Sequence, residues 1–241
     1  MVMTRRTLAG LFENANDLPL AVDDQAVTGA SRRFIANYAA VPIGSSVTSL
    51  RSVGNRIGDL AAPSAASAPT LRYANGRTYL EFDGVDDVLT CSVSDAAAIG
   101  VGAFTTYTVG RYRTANTNGA YWPLTNHHSE SNNFGITSYN TGTLMYRGTV
   151  SASAYTLDTN WHVFFGVFNG TSSLMKRDSA TPVSVNPGGL TIGTLSLGGG
   201  AGSTATKPPL DIAEMGMFDR ALTVAELAAL SSQLMATYNI V

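Results

Sequence analysis

The carboxylate side chains of this sequence are not spaced for acid–base catalysis. Hydrolysis of a glycosidic bond needs two of them on one side of the protein, and residues i and i+4 of a strand share a face. Asp211 and Glu214 are three residues apart, so in a strand we expect them to face opposite sides. We therefore expect no enzymatic activity, with a glycoside hydrolase as the alternative. No two of the five glutamates are four residues apart: Glu13, Glu81, Glu130, Glu214 and Glu226.

A second acidic group lies in the short segment Asp83-Gly84-Val85-Asp86-Asp87. Three carboxylates this close together have the chemistry of a Ca²⁺ site, because hard cations prefer clustered oxygen ligands. The same residues also build a tight turn, in which aspartate side chains accept backbone hydrogen bonds and glycine takes a positive φ. The turn is the favoured interpretation, and Asp83, Asp86 and Asp87 are the candidate metal ligands. No other cofactor is expected.

Two aromatic residues followed by polar ones mark a candidate glycan-binding segment at residues 121–133. A flat aromatic side chain surrounded by hydrogen-bonding groups is well suited to holding a sugar. The alternative is that the aromatics are core residues at a strand end and that the polar residues form an exposed loop. The two histidines and Glu130 have metal-ligating side chains, but adjacent residues of a strand point in opposite directions. The candidate residues are Tyr121, Trp122, Asn126, His127, His128, Glu130 and Asn132, followed by Tyr139, Tyr146 and Tyr155.

The elements that must position these residues have the two-residue periodicity of β-strands. Turn signals recur about every ten residues, which favours a sandwich of antiparallel strands over a parallel sheet. Leu80 and Phe82 are expected to share one face of a strand, and Leu89, Cys91 and Val93 one face of another. Strands are predicted at 103–113, 133–139, 143–149, 161–168, 171–177, 182–185, 190–198 and 209–218.

The strand at 161–168 is apolar on both faces, so we expect it to be covered on both sides. A hairpin turn is predicted directly after it, at Asn169-Gly170. One face carries Trp161, Val163, Phe165 and Val167, and the other carries Phe164 and Phe168.

One helix is predicted, near the C-terminus. Thr223 and Glu226 have the spacing of a capping box, in which each side chain satisfies a free backbone N–H of the first turn. Leu227, Leu230 and Leu234 then form an apolar stripe that we expect to pack on the sandwich. Residues 1–35 have no clear period and are predicted to be an N-terminal arm, while residues 36–241 form the folded domain.

Composition excludes several classes of function. The net charge is −2 and only 13% of residues are charged, without the clustered cations that a nucleic-acid partner requires. A single cysteine, Cys91, allows no intrachain disulfide and is expected in the core. The N-terminal segment lacks the continuous apolar stretch of a signal peptide, and no segment has the length of a membrane span, so no membrane insertion is expected.

Three motifs resemble those of laminin G-like, concanavalin A-like jelly rolls: residues 80–87, residues 160–170 and residues 210–223. The resemblance covers residues from about 40 to 241 of this chain. It implies an all-β fold: a two-sheet antiparallel β-sandwich (concanavalin A-like jelly roll) with a short C-terminal helix and an N-terminal arm. Related glycosidases carry catalytic carboxylates as E-x-D-x-E on one strand, and this chain has no such pattern. His162 matches a structural histidine of the family.

A further segment resembles a subgroup that is frequent in tailed-phage structural genes; it comprises Val47-Thr48-Ser49-Leu50-Arg51, Pro69-Thr70-Leu71 and Asn75-Gly76-Arg77. This implies a virion structural protein on the particle surface (a capsid decoration, head-fibre or tail-fibre component), with adhesion to a host surface glycan as a further expectation. The arm would bind other virion proteins, and a homo-oligomer is expected because multivalency strengthens binding. The protein would be made in the host cytoplasm and reside in the virion. The alternative is a carbohydrate-binding, lectin-like module without a structural role.

Overall fold

The computed structural model describes residues 30, 32–53, 58–91, 102–114, 121–129, 132–139, 143–147, 151–185, 194–199 and 207–241. These residues contain two 3-10 turns (Ala36–Tyr38 and Gly170–Ser172) and an α-helix, α1 (Val224–Thr237). The strands in chain order are β1 (Arg32–Ile35), β2 (Ser49–Leu50), β3 (Leu60–Ala61), β4 (Thr70–Ala74), β5 (Arg77–Phe82), β6 (Leu89–Thr90), β7 (Phe104–Tyr112), β8 (Tyr121–Ser129), β9 (Asn132–Tyr139), β10 (Thr143–Arg147), β11 (Ser151–Thr156), β12 (His162–Phe168), β13 (Ser173–Arg177), β14 (Val183–Val185), β15 (Thr194–Leu197) and β16 (Leu210–Phe218).

The strands form two antiparallel sheets of eight strands each. Sheet A has the order β14-β13-β12-β7-β16-β5-β4, and β1 also pairs with β16. Sheet B has the order β11-β10-β9-β8-β15-β6-β3-β2. Half of the neighbouring strand pairs are not consecutive in the chain, as expected of a sandwich in which the chain crosses between sheets. The predicted two-sheet antiparallel β-sandwich with a C-terminal helix is confirmed.

The main hydrophobic core lies between the two sheets, because alternate residues of each strand face inward. Phe82, Phe104 and Phe168 supply large buried rings from sheet A, and the rings of Phe104 and Phe168 stack with centres 4.2 Å apart. Leu124 and Ile136 are fully buried from sheet B. The Cys91 side chain is buried in the same core, as predicted. Val93 lies outside the described residues.

Strand β12 is covered on both faces, as its sequence predicts. Phe164 and Phe168 belong to the core between the sheets, whereas Val163, Phe165 and Val167 belong to a second core on the outer face of sheet A. Helix α1 closes this second core with Leu227, Leu230 and Leu234, all buried. Burying each of these leucines contributes roughly 1.5–3 kcal/mol. Sheet A therefore lies between sheet B and the helix.

The predicted capping box begins the helix. Thr223 Oγ1 accepts a hydrogen bond from the Glu226 backbone N–H at 3.3 Å, and Glu226 Oε2 accepts one from the Thr223 N–H at 2.8 Å. Arg220 donates from both terminal nitrogens to the Glu226 carboxylate. The helix ends at Thr237.

The last four residues of the predicted arm, Arg32–Ile35, form strand β1. They pair with the second half of β16, directly beyond the part of β16 that pairs with β5. The remainder of the predicted arm, residues 1–29, lies outside the described residues. Among the described helices, none is long and apolar enough to cross a membrane.

Candidate binding sites

The candidate glycan segment lies on two adjacent strands in sheet B. Tyr121, Trp122, Asn126, His127 and His128 belong to β8, which pairs with β9 and β15. The interpretation of residues 126–129 as an exposed loop is wrong, because their backbones hydrogen-bond in register with strands on both sides. Asn132 begins β9, whereas Glu130 and the side chains of the other candidates lie outside the described part of the chain.

The hairpin register sets which of these residues are neighbours. Tyr121 lies opposite Tyr139, and Trp122 lies opposite Ser138. Asn126 lies between Gly135 of β9 and Ser196 of β15. Directly opposed residues of antiparallel strands have Cβ atoms about 5 Å apart. The backbone therefore pairs Tyr121 with Tyr139 at one end of β8 and β9, whereas Trp122, the next residue of β8, pairs with Ser138.

Tyr155, a further aromatic candidate, has a structural role. Its hydroxyl lies 3.0 Å from the Thr181 carbonyl and 3.4 Å from the Met175 carbonyl, so it ties β11 of sheet B to sheet A. The Arg177 guanidinium lies 5.3 Å from the ring centre and covers the ring. Tyr146 lies in β10, opposite Ile136.

The three aspartates of residues 83–87 are close enough to share a cation, since their nearest oxygens all lie within 4.8 Å of one another. Hydrogen bonds nevertheless give two of them a role in the turn. Asp83 Oδ1 accepts from the Val85 N–H at 2.8 Å, and Asp87 Oδ2 accepts from the Asp83 N–H at 2.8 Å. Gly84 has a φ of +87° and lies against Pro209, so no other residue fits this turn well. These bonds support the favoured interpretation of the segment as a turn.

Asp87 is the buried member of this turn, 6% exposed, whereas Asp83 and Asp86 are exposed. Burial, together with the charges of Asp83 and Asp86, raises the pKa of Asp87 to about 6, against the lowering effect of the hydrogen bond from the Asp83 N–H. At neutral pH the Asp87 carboxylate is therefore charged and poorly solvated, and it lies beside the two negative charges of Asp83 and Asp86.

His162 lies between two carboxylates, as a packed and hydrogen-bonded residue. Its Nδ1 is 2.5 Å from Asp178 Oδ2, and its Nε2 is 2.8 Å from Asp158 Oδ1. Burial alone lowers the pKa of His162, but its hydrogen bonds to Asp178 and Asp158 outweigh burial, and the net shift is upward. The imidazolium ties the loop before β12 to the turn after β13. Asp178 also accepts the Val163 N–H at 2.7 Å, so all of its described contacts serve the fold.

Asp211 and Glu214 lie on the same outer face of sheet A, which corrects the expectation that they face opposite sides. The register of β16 against β7 shifts between Ile212 and Glu214, so Ala213 is an extra residue at a β-bulge. The bulge reverses the alternation for every residue after it. The two carboxylates still do not form an open acid–base pair, because both are fully buried and bonded to other side chains.

Glu214 is the centre of a buried network that sequence reasoning missed. One oxygen accepts from Arg33 Nε at 2.9 Å and from the Tyr107 hydroxyl at 2.5 Å; the other accepts from the Tyr238 hydroxyl at 2.5 Å. Burial, and next the Glu214 charge, raise the pKa values of Tyr107 and Tyr238 well above the ordinary value, so both hydroxyls stay protonated. A Cβ at Gly216 would collide with the Tyr107 ring. The network joins β1, β7, β16 and the end of α1.

Three side chains near the end of α1 form what we call the arginine–tryptophan cluster: Arg77, Arg111 and Trp161. The Cζ atoms of Arg77 and Arg111 lie 4.4 Å and 5.2 Å from the centre of the Trp161 ring. Tyr79 meets the same ring edge-on, with centres 5.5 Å apart. Arg77 also donates to the Tyr238 carbonyl beyond the helix end. Only the sheet order brings these residues together, so no sequence spacing marks them.

Other charged side chains surround the cluster on the outer face of sheet A. Arg111 Nε donates to Asp211 Oδ2 at 2.7 Å, and Arg113 Nε lies 3.5 Å from Asp211 Oδ1. Arg72 pairs with Glu81 at 3.0 Å. Burial raises the pKa of Asp211, although the Arg111 and Arg113 contacts oppose the shift. Cations therefore outnumber carboxylates here.

No protein-family model and no curated protein matches the sequence, but its fold is similar to solved structures. A Trypanosoma rangeli sialidase in complex with sialic acid has a TM-score of 0.66 at 14% identity, over 87% of this chain and 34% of that chain. The same sialidase as a covalent intermediate with 2,3-difluorosialic acid has a TM-score of 0.65 at 12% identity, over 88% and 34%. The botulinum neurotoxin serotype G binding domain has a TM-score of 0.61 at 7% identity, over 86% and 51%.

This chain thus spans about a third of the sialidase chains and about half of the neurotoxin binding-domain chain. At these identities the likeness establishes the β-sandwich fold. Function has to be argued from the sites themselves.

Proposed function

We propose that this protein is a non-catalytic, glycan-binding β-sandwich module. The observation that carries the proposal is the register of β8 and β9, which sets Tyr121 opposite Tyr139 and Trp122 opposite Ser138 in one sheet. Binding sites built on strands hold their groups more firmly than sites on loops. Aromatic faces beside amide and imidazole groups suit the apolar and hydroxyl faces of a sugar ring.

The absence of catalysis is part of this proposal. Among the described residues, Asp211 and Glu214 are the carboxylates that a β-bulge places on one face, and their hydrogen bonds to arginines and tyrosines occupy them in the fold. The similar solved structures include a sialidase bound to sialic acid and a neurotoxin binding domain, so the same architecture occurs in proteins named for enzymatic and for binding functions. We expect no release of reducing sugar from β-glucans, and release above background would revive the glycosidase alternative.

The test is a glycan-array screen followed by titration of the best ligand against Trp122→Ala and Trp122→Phe. Loss of an aromatic platform at a binding site costs roughly tenfold or more in affinity, because tryptophans are frequent hot spots. Trp122→Phe keeps an aromatic face and should retain most of the binding. The circular dichroism spectrum and melting temperature establish that both variants fold. Full binding by a folded Trp122→Ala variant would contradict a site at β8 and β9.

We further propose that the module is displayed on a tailed-phage particle, as a capsid decoration, head-fibre or tail-fibre component, and that it forms a homo-oligomer. This second proposal rests on the motif resemblance at residues 47–51 and 69–77 and on strand β1, whose pairing with β16 joins the predicted arm to the sheet. Arg33 reinforces that attachment through Glu214. An arm fixed in this way could transmit an anchoring contact to the sandwich.

Deletion of residues 1–29 tests the anchoring role without removing β1. We expect the truncated protein to fold and bind its glycan but to be lost from purified particles. Incorporation equal to that of the full chain would contradict anchoring by the arm. Light scattering or sedimentation of the full chain measures the oligomeric state, and a monomer at micromolar concentration would contradict the homo-oligomer.

A further inference from the structure

We propose that the arginine–tryptophan cluster binds the carboxylate of an acidic saccharide. This inference rests on the proposed glycan-binding function, but it assigns a separate site: the cluster is on the outer face of sheet A, whereas β8 and β9 belong to sheet B. It also names the class of ligand, a saccharide that carries carboxylate groups, such as a chain of uronic acids.

The guanidinium groups of the cluster keep hydrogen-bond donors for a ligand. Arg111 uses its Nε for Asp211, and within the described part of the chain no acceptor is bonded to its two terminal nitrogens. Arg77 uses one terminal nitrogen for the carbonyls of Tyr238 and Asn239, and no acceptor among the described residues is bonded to its other terminal nitrogen. A guanidinium with free N–H groups binds a carboxylate through two parallel hydrogen bonds.

The cluster is also a local excess of positive charge on an acidic protein. Four arginines (Arg72, Arg77, Arg111 and Arg113) share this face with two carboxylates (Glu81 and Asp211), a difference of two positive charges, whereas the whole chain has a net charge of −2. Such a patch concentrates anions from solution. Arg72 and Arg111 are 44% and 33% exposed, so a ligand can reach them.

The aromatic ring favours a saccharide over a simple anion. Trp161 is partly buried, and Arg77 and Arg111 both lie over its ring, which fixes the planar guanidinium groups before a ligand arrives. Donors that are already oriented lose less entropy on binding. A sugar acid can place its carboxylate on the guanidinium groups and its apolar C–H surface beside the aromatic side chains. Burial, and then the charge of Arg111, lower the pKa of Arg77, so a bound anion would relieve a repulsion already present.

The experiment measures binding of oligogalacturonate to the full chain by isothermal titration calorimetry, with uncharged galactan oligomers and poly-glutamate as comparison ligands. We expect oligogalacturonate alone to bind, and to bind more weakly as NaCl rises from about 50 mM to about 500 mM, because salt screens exposed charges. Equal binding of uncharged galactan would overturn the role of the carboxylate. Equal binding of poly-glutamate would overturn the saccharide and point to an acidic peptide.

Arg111→Lys is the diagnostic variant, because it keeps a positive charge beside buried Asp211 but removes the planar donor pair. We expect it to weaken oligogalacturonate binding by roughly tenfold. Arg220→Lys is the matched control, since Arg220 is an exposed arginine bonded to a carboxylate but has no contact with the cluster. If Arg111→Lys does not fold, the double variant Arg111→Gln with Asp211→Asn removes both charges together and should lose binding equally.

Unchanged affinity in a folded Arg111 variant would overturn the site.

Trp122→Ala separates this inference from the proposed function. If Trp122→Ala abolishes binding of a neutral glycan and oligogalacturonate does not bind the wild type, the proposed function stands and this inference fails. If oligogalacturonate binding survives Trp122→Ala and is lost in Arg111→Lys, the acidic site stands independently of β8 and β9.

Discussion

A single buried aspartate makes the turn at residues 83–87 sensitive to pH. The pKa of Asp87 is raised to about 6, above its ordinary value of 3.8, so the folded state favours the protonated side chain. The associated stability is fully present below pH 3.8 and is lost as the pH rises through about 6, a difference of about 3 kcal/mol. We expect Asp87→Asn to match the wild type near pH 4 and to have a higher melting temperature at pH 8.

Melting curves across pH 4–8 check this expectation, with Asp59→Asn as the control because Asp59 is exposed and lies outside the turn. A lower melting temperature for Asp87→Asn at pH 8 would contradict the burial argument. A rise on addition of Ca²⁺ that Asp87→Asn abolishes would instead identify the turn as a metal site.

His162 contributes to the pH dependence of stability with the same sign, but at a higher pH. Its pKa is raised above 6.5 by the carboxylates of Asp178 and Asp158, which outweigh burial. The stability that it contributes is fully present below pH 6.5 and is lost as the pH rises through the raised pKa. We expect the free energy of unfolding to fall on the alkaline side in the wild type, and this slope to disappear in His162→Gln. Urea titrations between pH 6 and 9 measure it, and an unchanged slope in His162→Gln would exclude the imidazolium as its cause.

At the scale of an element, helix α1 depends on its first turn. Thr223→Ala removes the side-chain acceptor for the Glu226 N–H and should cost about 1 kcal/mol of stability, whereas Thr223→Ser retains the hydroxyl and most of that stability. The hydrogen bonds from Arg220 and from the Thr223 N–H lower the pKa of Glu226 to about 2. The cap should therefore persist until the pH falls through about 2. Chemical denaturation of the two variants at pH 7 measures the difference, and equal losses would show that the hydroxyl is not the cause.

The sequence predicts those elements whose pattern is regular. Strand β12 was predictable with both of its covered faces because its apolar residues extend over a whole strand, and α1 because its cap and leucine stripe agree. The β-bulge at Ala213 was not predictable, because one extra residue changes the face of the strand on which Glu214 lies and leaves no signal in the composition. Strand β8 continues through polar residues because β9 and β15 pair with it, a tertiary effect that overrides local propensity.

Among the candidate sites too, those set by local sequence were predictable and those set by contacts between distant residues were not. The turn at Asp83 was predictable because its hydrogen-bond partners lie within four residues in the chain, and the structural role of His162 followed from the motif resemblance. The Glu214 network and the arginine–tryptophan cluster join residues that are far apart in the chain. Such contacts depend on strand order, which local patterns do not specify.

At the scale of the whole molecule, the two ends of the described chain meet in the Glu214 network. Arg33 of β1 and Tyr238 beyond α1 bind the same carboxylate, which belongs to β16, an inner strand of sheet A. Breaking a buried ion pair by removing one partner costs about 3–5 kcal/mol, because the remaining charge is left buried without compensation. Strand β1 therefore belongs to the folded domain, because its loss would leave the Glu214 charge buried without its ion-pair partner.

Two truncations separate β1 from the residues before it. A chain lacking residues 1–35 should be less stable than a chain lacking residues 1–29 by about 3–5 kcal/mol, since only the first loses Arg33 and the pairing with β16. Adding Glu214→Gln to the shorter chain should recover part of the difference, because the amide removes the unpaired charge while both tyrosines keep an acceptor or donor nearby. Guanidinium unfolding of the three proteins measures the effect. Equal stability of the two truncations would mean that β1 contributes nothing to the sandwich, and the boundary between arm and domain would then lie at residue 35 rather than before Arg32.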